Sequence, residues 1–329
     1  MGIKSTLVRG GIAAATVSAL AATALSGAGT AFAAGKAPAA VASGGYQFVE
    51  LGSTRDVTFN QLLGINNKGQ IAGYFGSGNG GHPNKGYEIN APYAQNDIAS
   101  ENFPHSAQTQ VTGLNDNGVT VGFYSTQNKA QPTQDNNFGW WAQGGHFHQV
   151  DYPTSNNSKP PVNQLLGVNN TDTAVGFYND SAGNSHGYAY NLKTHAFKLV
   201  AISGATSVTA AAINNHGDVA GFYTNKAGAT DAFLKLHSGR EITIAVAGAM
   251  MTQAFGVNDK DWVVGTYTLR SGATFGFIYI LGDRLLTNFS DPNGVGTTLF
   301  NGINNEDDIV GFYTDAAGNT DGMLALPPF

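Results

Sequence analysis

The chain has 329 residues, 44 of them Gly and none of them Cys, and a formal net charge of −6. The lack of Cys excludes a disulfide framework, a thiolate metal site and a thiol nucleophile. The acidic balance argues against a nucleic-acid or anionic-membrane partner.

Residues 1–33 read as a secretory signal peptide. Lys4 and Arg9 give a positive start, residues 11–25 are mostly apolar, and Ala31-Phe32-Ala33 is an A-x-A cleavage site. An uncleaved anchor is the alternative, but the apolar run is short for a membrane span. Without Lys4 and Arg9 the exported form keeps 14 basic against 22 acidic residues, a net charge near −8. Residues 34–45, rich in Ala, Gly and Pro, read as a flexible leader. Residues 46–329 then form one domain, secreted, without a further membrane span, and expected to be a monomer.

That domain repeats one stretch six times, anchored at Asn66, Asn115, Asn169, Asn214, Asn258 and Asn304. The anchors are 49, 54, 45, 44 and 46 residues apart. Each copy is an apolar run, a turn of Asn, Asp and Gly, and a second apolar run. Such turn residues tolerate positive φ and bond their own backbone, so each copy reads as a β-hairpin. Plain hairpin pairing sets Gln110 opposite Tyr124, Gln164 opposite Tyr178 and Gln253 opposite Tyr267. The second strand carries Gly73, Gly122, Gly176, Gly221, Gly265 or Gly311 at one position, a sign of close backbone approach.

A third and a fourth strand follow most hairpins, for example residues 187–191 and 196–200. Periods of about 40–50 residues with four strands each point to propeller blades. The last copy stops after its third strand, and the domain opens with an orphan strand at residues 46–51. The expected fold is therefore an all-β, six-bladed β-propeller of four-stranded antiparallel blades, closed by the N-terminal strand. An open β-solenoid or paired sandwiches are the alternatives.

The pattern Gly-Ile-Asn-Asn, Val-Gly-Phe-Tyr and Gly-Asn-x-His-Gly-Tyr resembles the HAF repeats of bacterial extracellular repeat proteins. The resemblance covers residues 46–329. Its hairpin part is well kept, whereas only His186-Gly187-Tyr188 matches the His-Gly-Phe part well. It implies export and repeat architecture rather than a particular chemistry.

No catalytic motif is present: there is no G-x-S-x-G, P-loop, H-E-x-x-H or dinucleotide fingerprint. The hairpin turns are uniform, so their face reads as structural. The connections after the second and fourth strands vary most, so a site belongs on the opposite face. Tyr124, Tyr178, Tyr223, Tyr267 and Tyr313, with Gln110, Gln164 and Gln253, are the candidate ligand-binding residues there. Aromatic faces beside neutral amides suit a glycan or another polar neutral ligand; the alternative is that they are scaffold. His146 and His148 share one strand face but show no third metal ligand. Asp259, Asp261, Asp307 and Asp308 read as turn residues, because a Ca²⁺ loop needs more oxygen ligands in fixed order. The reading is a secreted binding module for a glycan or cell-surface polymer, with no catalytic residue, metal or cofactor assigned. The alternative is a polysaccharide hydrolase or lyase using carboxylates such as Asp151, Asp180 and Asp291 on the variable-loop face.

Overall fold

The computed structural model describes residues 45–328 apart from 95 and 96. The signal peptide and all of the leader but Gly45 lie outside them. The described chain holds no α-helix. It consists of short strands.

The strands run in chain order: β1 (Gln47–Glu50), β2 (Asn60–Ile65), β3 (Ile71–Phe75), β4 (Lys85–Ile89), β5 (Ala99–Ser100), β6 (Gln108–Leu114), β7 (Val119–Ser125), β8 (Phe138–Gln143) and β9 (His146–Val150). They continue with β10 (Asn163–Val168), β11 (Thr173–Asn179), β12 (Ser185–Asn191), β13 (Phe197–Leu199), β14 (Ala205–Ile213), β15 (Val219–Asn225), β16 (Thr230–Lys235) and β17 (Glu241–Ile244). The last are β18 (Ala249–Val257), β19 (Trp262–Leu269), β20 (Thr274–Ile280), β21 (Leu285–Phe289), β22 (Thr298–Ile303), β23 (Ile309–Thr314) and β24 (Thr320–Leu326).

β2–β5, β6–β9 and β10–β13 each form a four-stranded antiparallel sheet. β22–β24 take β1 as their fourth strand, with Gln47 opposite Leu326 and Glu50 opposite Met323. β14–β17 and β18–β21 are antiparallel runs of the same kind. A single parallel pair, Thr230 with Met251, joins them into one eight-stranded sheet.

The core lies between consecutive sheets. Val121 and Val150 pack with Leu165 and Tyr188, and Ile278 and Phe289 with Phe300 and Met323. The last sheet packs on the first in the same way, through Val310 and Leu324 against Leu62 and Tyr87. Both faces of the middle strands are buried for this reason. Phe177 and Tyr178 are neighbours in β11 and are 0% and 8% exposed.

The hairpins differ from plain pairing in one respect. Every first strand carries a β-bulge whose extra residue lies three positions before the anchor Asn. In the third copy Leu165 pairs with Gly176 and Gly167 with Val175, which leaves Leu166 as the extra residue. The bulge shifts the register by one. Gln110, Gln164 and Gln253 therefore face Phe123, Phe177 and Thr266 rather than the tyrosines. Opposite Tyr124, Tyr178 and Tyr267 stand Thr109, Asn163 and Thr252. Adjacent strand residues point to opposite sides, so each Gln and its Tyr lie on different faces of their sheet.

Candidate functional site

The hairpin-turn end is built from two closed cycles of hydrogen bonds. In the first, each anchor Asn donates from Nδ2 to the backbone carbonyl of the next anchor. The donors run from Asn66 through Asn115, Asn169, Asn214 and Asn258 to Asn304, which donates back to Asn66 at 3.4 Å. In the second, the backbone N–H of each following residue donates to the side-chain Oδ1 of its counterpart in the next repeat. That cycle runs through Asn67, Asp116, Asn170, Asn215, Asp259 and Asn305 and closes on Asn67. The rings enclose an axial cavity of about 70 Å³ lined by the anchor turns and by Ile65, Leu114, Val168, Ile213, Val257 and Ile303. Burial pulls the Asp259 carboxyl up. Hydrogen bonds from Asn305 and Asn215 outweigh that and hold it below the usual carboxylate range. The ring polar groups are spent on one another, as a scaffold requires.

On the opposite face the predicted tyrosines are all buried, between 2% and 9% exposed. Three of their hydroxyls bond residues of the outer strands. Tyr124 donates to Gln149 Oε1 at 2.7 Å, Tyr267 donates to Asn288 Oδ1 at 2.6 Å, and the Tyr223 hydroxyl shares a 3.2 Å bond with Thr243. Tyr178 stacks on Tyr152 with ring centroids 4.2 Å apart. Burial, then the charges of Glu50, Asp321 and Asp291, push the Tyr313 phenol up. The five rings thus pack within and between sheets and form no open aromatic ring at an axial mouth. The predicted amides Gln110, Gln164 and Gln253 are all buried, and Gln164 Nε2 donates to Asn137 Oδ1 at 2.5 Å.

Two predicted residues, Gln110 and Tyr124, do line a cleft on this face. They share it with Asn84, Gln108, Thr109, Asp135 and Asn137. Gln108 organises the cleft: its Oε1 accepts from the Asn84 backbone N–H at 3.1 Å, and its Nε2 donates to Asp135 Oδ2 at 2.5 Å. Burial pushes the Asp135 carboxyl up, against the opposing pull of Lys129 and Gln108. The Asn84 side-chain carbonyl is buried and has no hydrogen-bond partner in the structure. The cavity is about 20 Å³, room for a water-sized group. Two long connections, residues 76–84 and 126–137, meet beside it, where a Cβ on Gly80 would lie 3.3 Å from Ala130 Cα. Sequence reading missed Asn84, Gln108, Asp135 and Asn137 because it singled out residue types shared by the copies, whereas these positions vary in type or, for Asp135, lie in a connection found once. Departure from the repeat was the available signal: Gln108 stands where the other copies carry Phe59, Val162, Ser207, Met251 and Thr297.

His146 and His148 are exposed on β9, and His148 stacks on Trp141 at 4.1 Å. Among the described residues no helix is long and apolar enough to cross a membrane.

Four-stranded antiparallel sheets packed face to face, with the last sheet on the first, define a β-propeller-like protein. No family model matches the chain, and no curated protein matches it. Solved structures do. The putative TolB from Agrobacterium tumefaciens is 10% identical with a TM-score of 0.53, over 82% of this chain and 91% of that one. The β-propeller domain of the Trilobed protease from Pyrococcus furiosus, described as having an open velcro topology, is 8% identical with a TM-score of 0.43, over 81% and 95%. A mutant Aleuria aurantia lectin in complex with Fucalpha1-6GlcNAc is 11% identical with a TM-score of 0.46, over 82% and 96%. The likeness to TolB speaks to fold alone, since one fold hosts many functions.

Proposed function

We propose that the chain is an exported six-bladed propeller of the HAF-repeat kind that serves as a binding module for neutral polar ligands, glycans or cell-surface polymers first. Two hydrogen-bond cycles through six hairpins and a core cluster between last and first sheets support six blades. On that count the eight-stranded sheet is two blades bridged by one residue pair. The observation that carries the binding reading is the Asn84 carbonyl: buried, unpartnered, and set among amides and a phenol beneath the long connections. A buried acceptor without a donor is costly, and a sugar hydroxyl supplies the donor. Gln110 and Tyr124 are the predicted residues retained for this site. For the hydrolase alternative the cleft holds one carboxyl, Asp135, without Asp151, Asp180 or Asp291, whereas paired acid–base hydrolysis takes two.

The test is a glycan array probed with the exported protein, alongside Asn84→Ala. Retention on neutral glycans is expected. Loss of one hydrogen bond should weaken it by about 0.5–1.5 kcal/mol, with melting unchanged. No retention, or retention indifferent to Asn84→Ala, rejects the cleft. Release of reducing ends or unsaturated sugars from the same panel would favour the enzyme instead. Export itself is checked by N-terminal sequencing, with the mature chain expected to start after Ala33.

A further inference from the structure

The turns of the fourth and fifth repeats break the pattern of the other junctions. At one turn position the copies carry Gly69, Gly118, Asp172, Gly217, Asp261 and Asp307. The three Asp residues have φ between 56° and 66°, the region that favours Gly. Two of them have a lysine: Lys193 pairs with Asp172 at 2.6 Å and Lys260 pairs with Asp307 at 3.0 Å. Among the described residues no Lys or Arg pairs with Asp261. The residue that occupies the place of Lys260 one repeat earlier is His216, and the place of Trp262 is taken by Asp218. A second carboxylate and an imidazole thus stand where a lysine and an indole stand at the next junction.

The three side chains converge. Ligand atoms of His216, Asp218 and Asp261 all lie within 4.8 Å of one another, and His216 Nδ1 is 3.9 Å from Asp218 Oδ2. Asp218 is buried, while the His216 side chain is 62% exposed, so the cluster is open on one side. The His237 backbone N–H holds Asp218 Oδ1 at 2.7 Å, but the donors do not cover the remaining acceptors. Asn214 Nδ2 approaches three of them: Asn258 O at 3.1 Å, Asp218 Oδ2 at 3.2 Å and Asp261 Oδ1 at 3.1 Å. An amide carries only two hydrogens. At the next junction Asn258 Nδ2 has two acceptors, Asn304 O and Asp307 Oδ1.

We infer that His216, Asp218 and Asp261 form a divalent-metal site between the fourth and fifth repeats, where the cation takes the part that Lys260 plays at the following junction. One imidazole nitrogen and two carboxylates suit a borderline ion such as Zn²⁺, with water in the open position, better than Ca²⁺, which takes oxygen ligands only. The site lies at the scaffold end, apart from the glycan cleft, and its effect is to tie two repeats together.

Calorimetric titration of the chelator-stripped, tag-free chain with ZnCl₂ and with CaCl₂ tests this. One Zn²⁺ per chain is expected, held at least about 10-fold tighter than Ca²⁺. Two variants use residues that the repeat itself accepts. His216→Lys copies Lys68 and Lys260, and Asp261→Gly copies Gly69 and Gly118. Each should weaken zinc binding by about 10-fold or more, while melting without metal stays level or rises. Failure to bind zinc, calcium binding as tight as zinc, or variants that bind zinc like the parent would each overturn the site. Zinc bound elsewhere, at His146 and His148 for example, falls under the last outcome.

Discussion

The anchor Asn does two jobs with one amide. In the third copy Asn169 Oδ1 accepts from the backbone of Thr171 and Thr173 at 3.1 and 3.0 Å, which closes its own turn. Its Nδ2 donates to Asn214 O at 2.9 Å, which ties that turn to the next repeat. Among side chains of this size only Asn offers an acceptor and a two-hydrogen donor on separate atoms, and all six copies carry it. Asn169→Ala leaves buried donors and an acceptor unpaired and should cost about 2–4 kcal/mol by chemical denaturation. Asn169→Asp keeps the turn but sets a carboxylate against a carbonyl. Its loss should be comparable at neutral pH and smaller at pH 4, where the protonated acid donates again. Equal losses at both pH values would refute the donor role. Glu88 follows the same logic. Burial, then the hydrogen bond and charge of Glu101, push its carboxyl up to about 8. The folded state thus holds a proton that the unfolded chain releases near the ordinary glutamate value. That contribution to stability is complete below pH 4.5 and is lost as pH rises through about 8. Melting temperature should fall between pH 5 and pH 9 in the parent chain. In Glu88→Gln that slope should flatten, as scanning calorimetry at fixed ionic strength can show.

At the scale of the hairpin, the bulge explains the repeated Gly. It carries the carbonyl of Gln164 against the β11 backbone, where a Cβ on Gly176 would sit 1.9 Å from that oxygen. The same approach recurs at Gly122, Gly221, Gly265 and Gly311, at 1.9–2.0 Å. Gly176→Ala has no flexible neighbour to displace, so it should cost about 3 kcal/mol or more, with the hairpin displaced. A loss under about 1 kcal/mol would mean that the carbonyl moves freely. The hairpins, their order and the third strands were legible, because turn chemistry and the Asn and Gly positions recur in each copy. The bulge was not. Its extra residue is Leu63, Thr112, Leu166, Ala211, Phe255 or Asn301, which share no side-chain property. A bulge is a backbone event, and an unmarked one moves every inferred partner by one place. That single step put Gln and Tyr on one face in the sequence reading and on opposite faces in the structure. The cleft was illegible for a different reason: Gln108 and Asn84 sit at repeat positions where the residue type varies from copy to copy, and Asp135 comes from a connection that occurs once, so no shared residue marks them.

Across the whole molecule, the first and last repeats must meet, and three kinds of contact bring them together. Side chains bond across the seam, with Asn301 Nδ2 donating to Leu62 O at 2.9 Å beside the two turn cycles. The core crosses it through Val310 and Leu62. β1 then adds to the outer edge of β24. Leu51 N–H donates to Gly322 O at 2.8 Å, and Leu51 O accepts from Asn60 Nδ2 at 2.8 Å, so one residue links the last sheet to the first. Tyr46 meets Phe289 edge-on at 5.8 Å, and Phe48 stacks near Phe300 at 6.4 Å. Deleting residues 45–51 removes this strand and both rings, and leaves β24 as an unpaired edge. The deleted chain should melt well below the parent, by about 10 °C or more, and aggregate on concentration. Because β1 runs antiparallel to β24, the same segment appended after residue 329 through a short turn reaches its place as a hairpin, as β13 does after β12. That permuted chain should recover most of the lost melting temperature. If deletion leaves melting unchanged, β1 does not close the ring. If deletion lowers melting but the permuted chain does not recover, the strand acts through its N-terminal connection rather than through its pairing with β24.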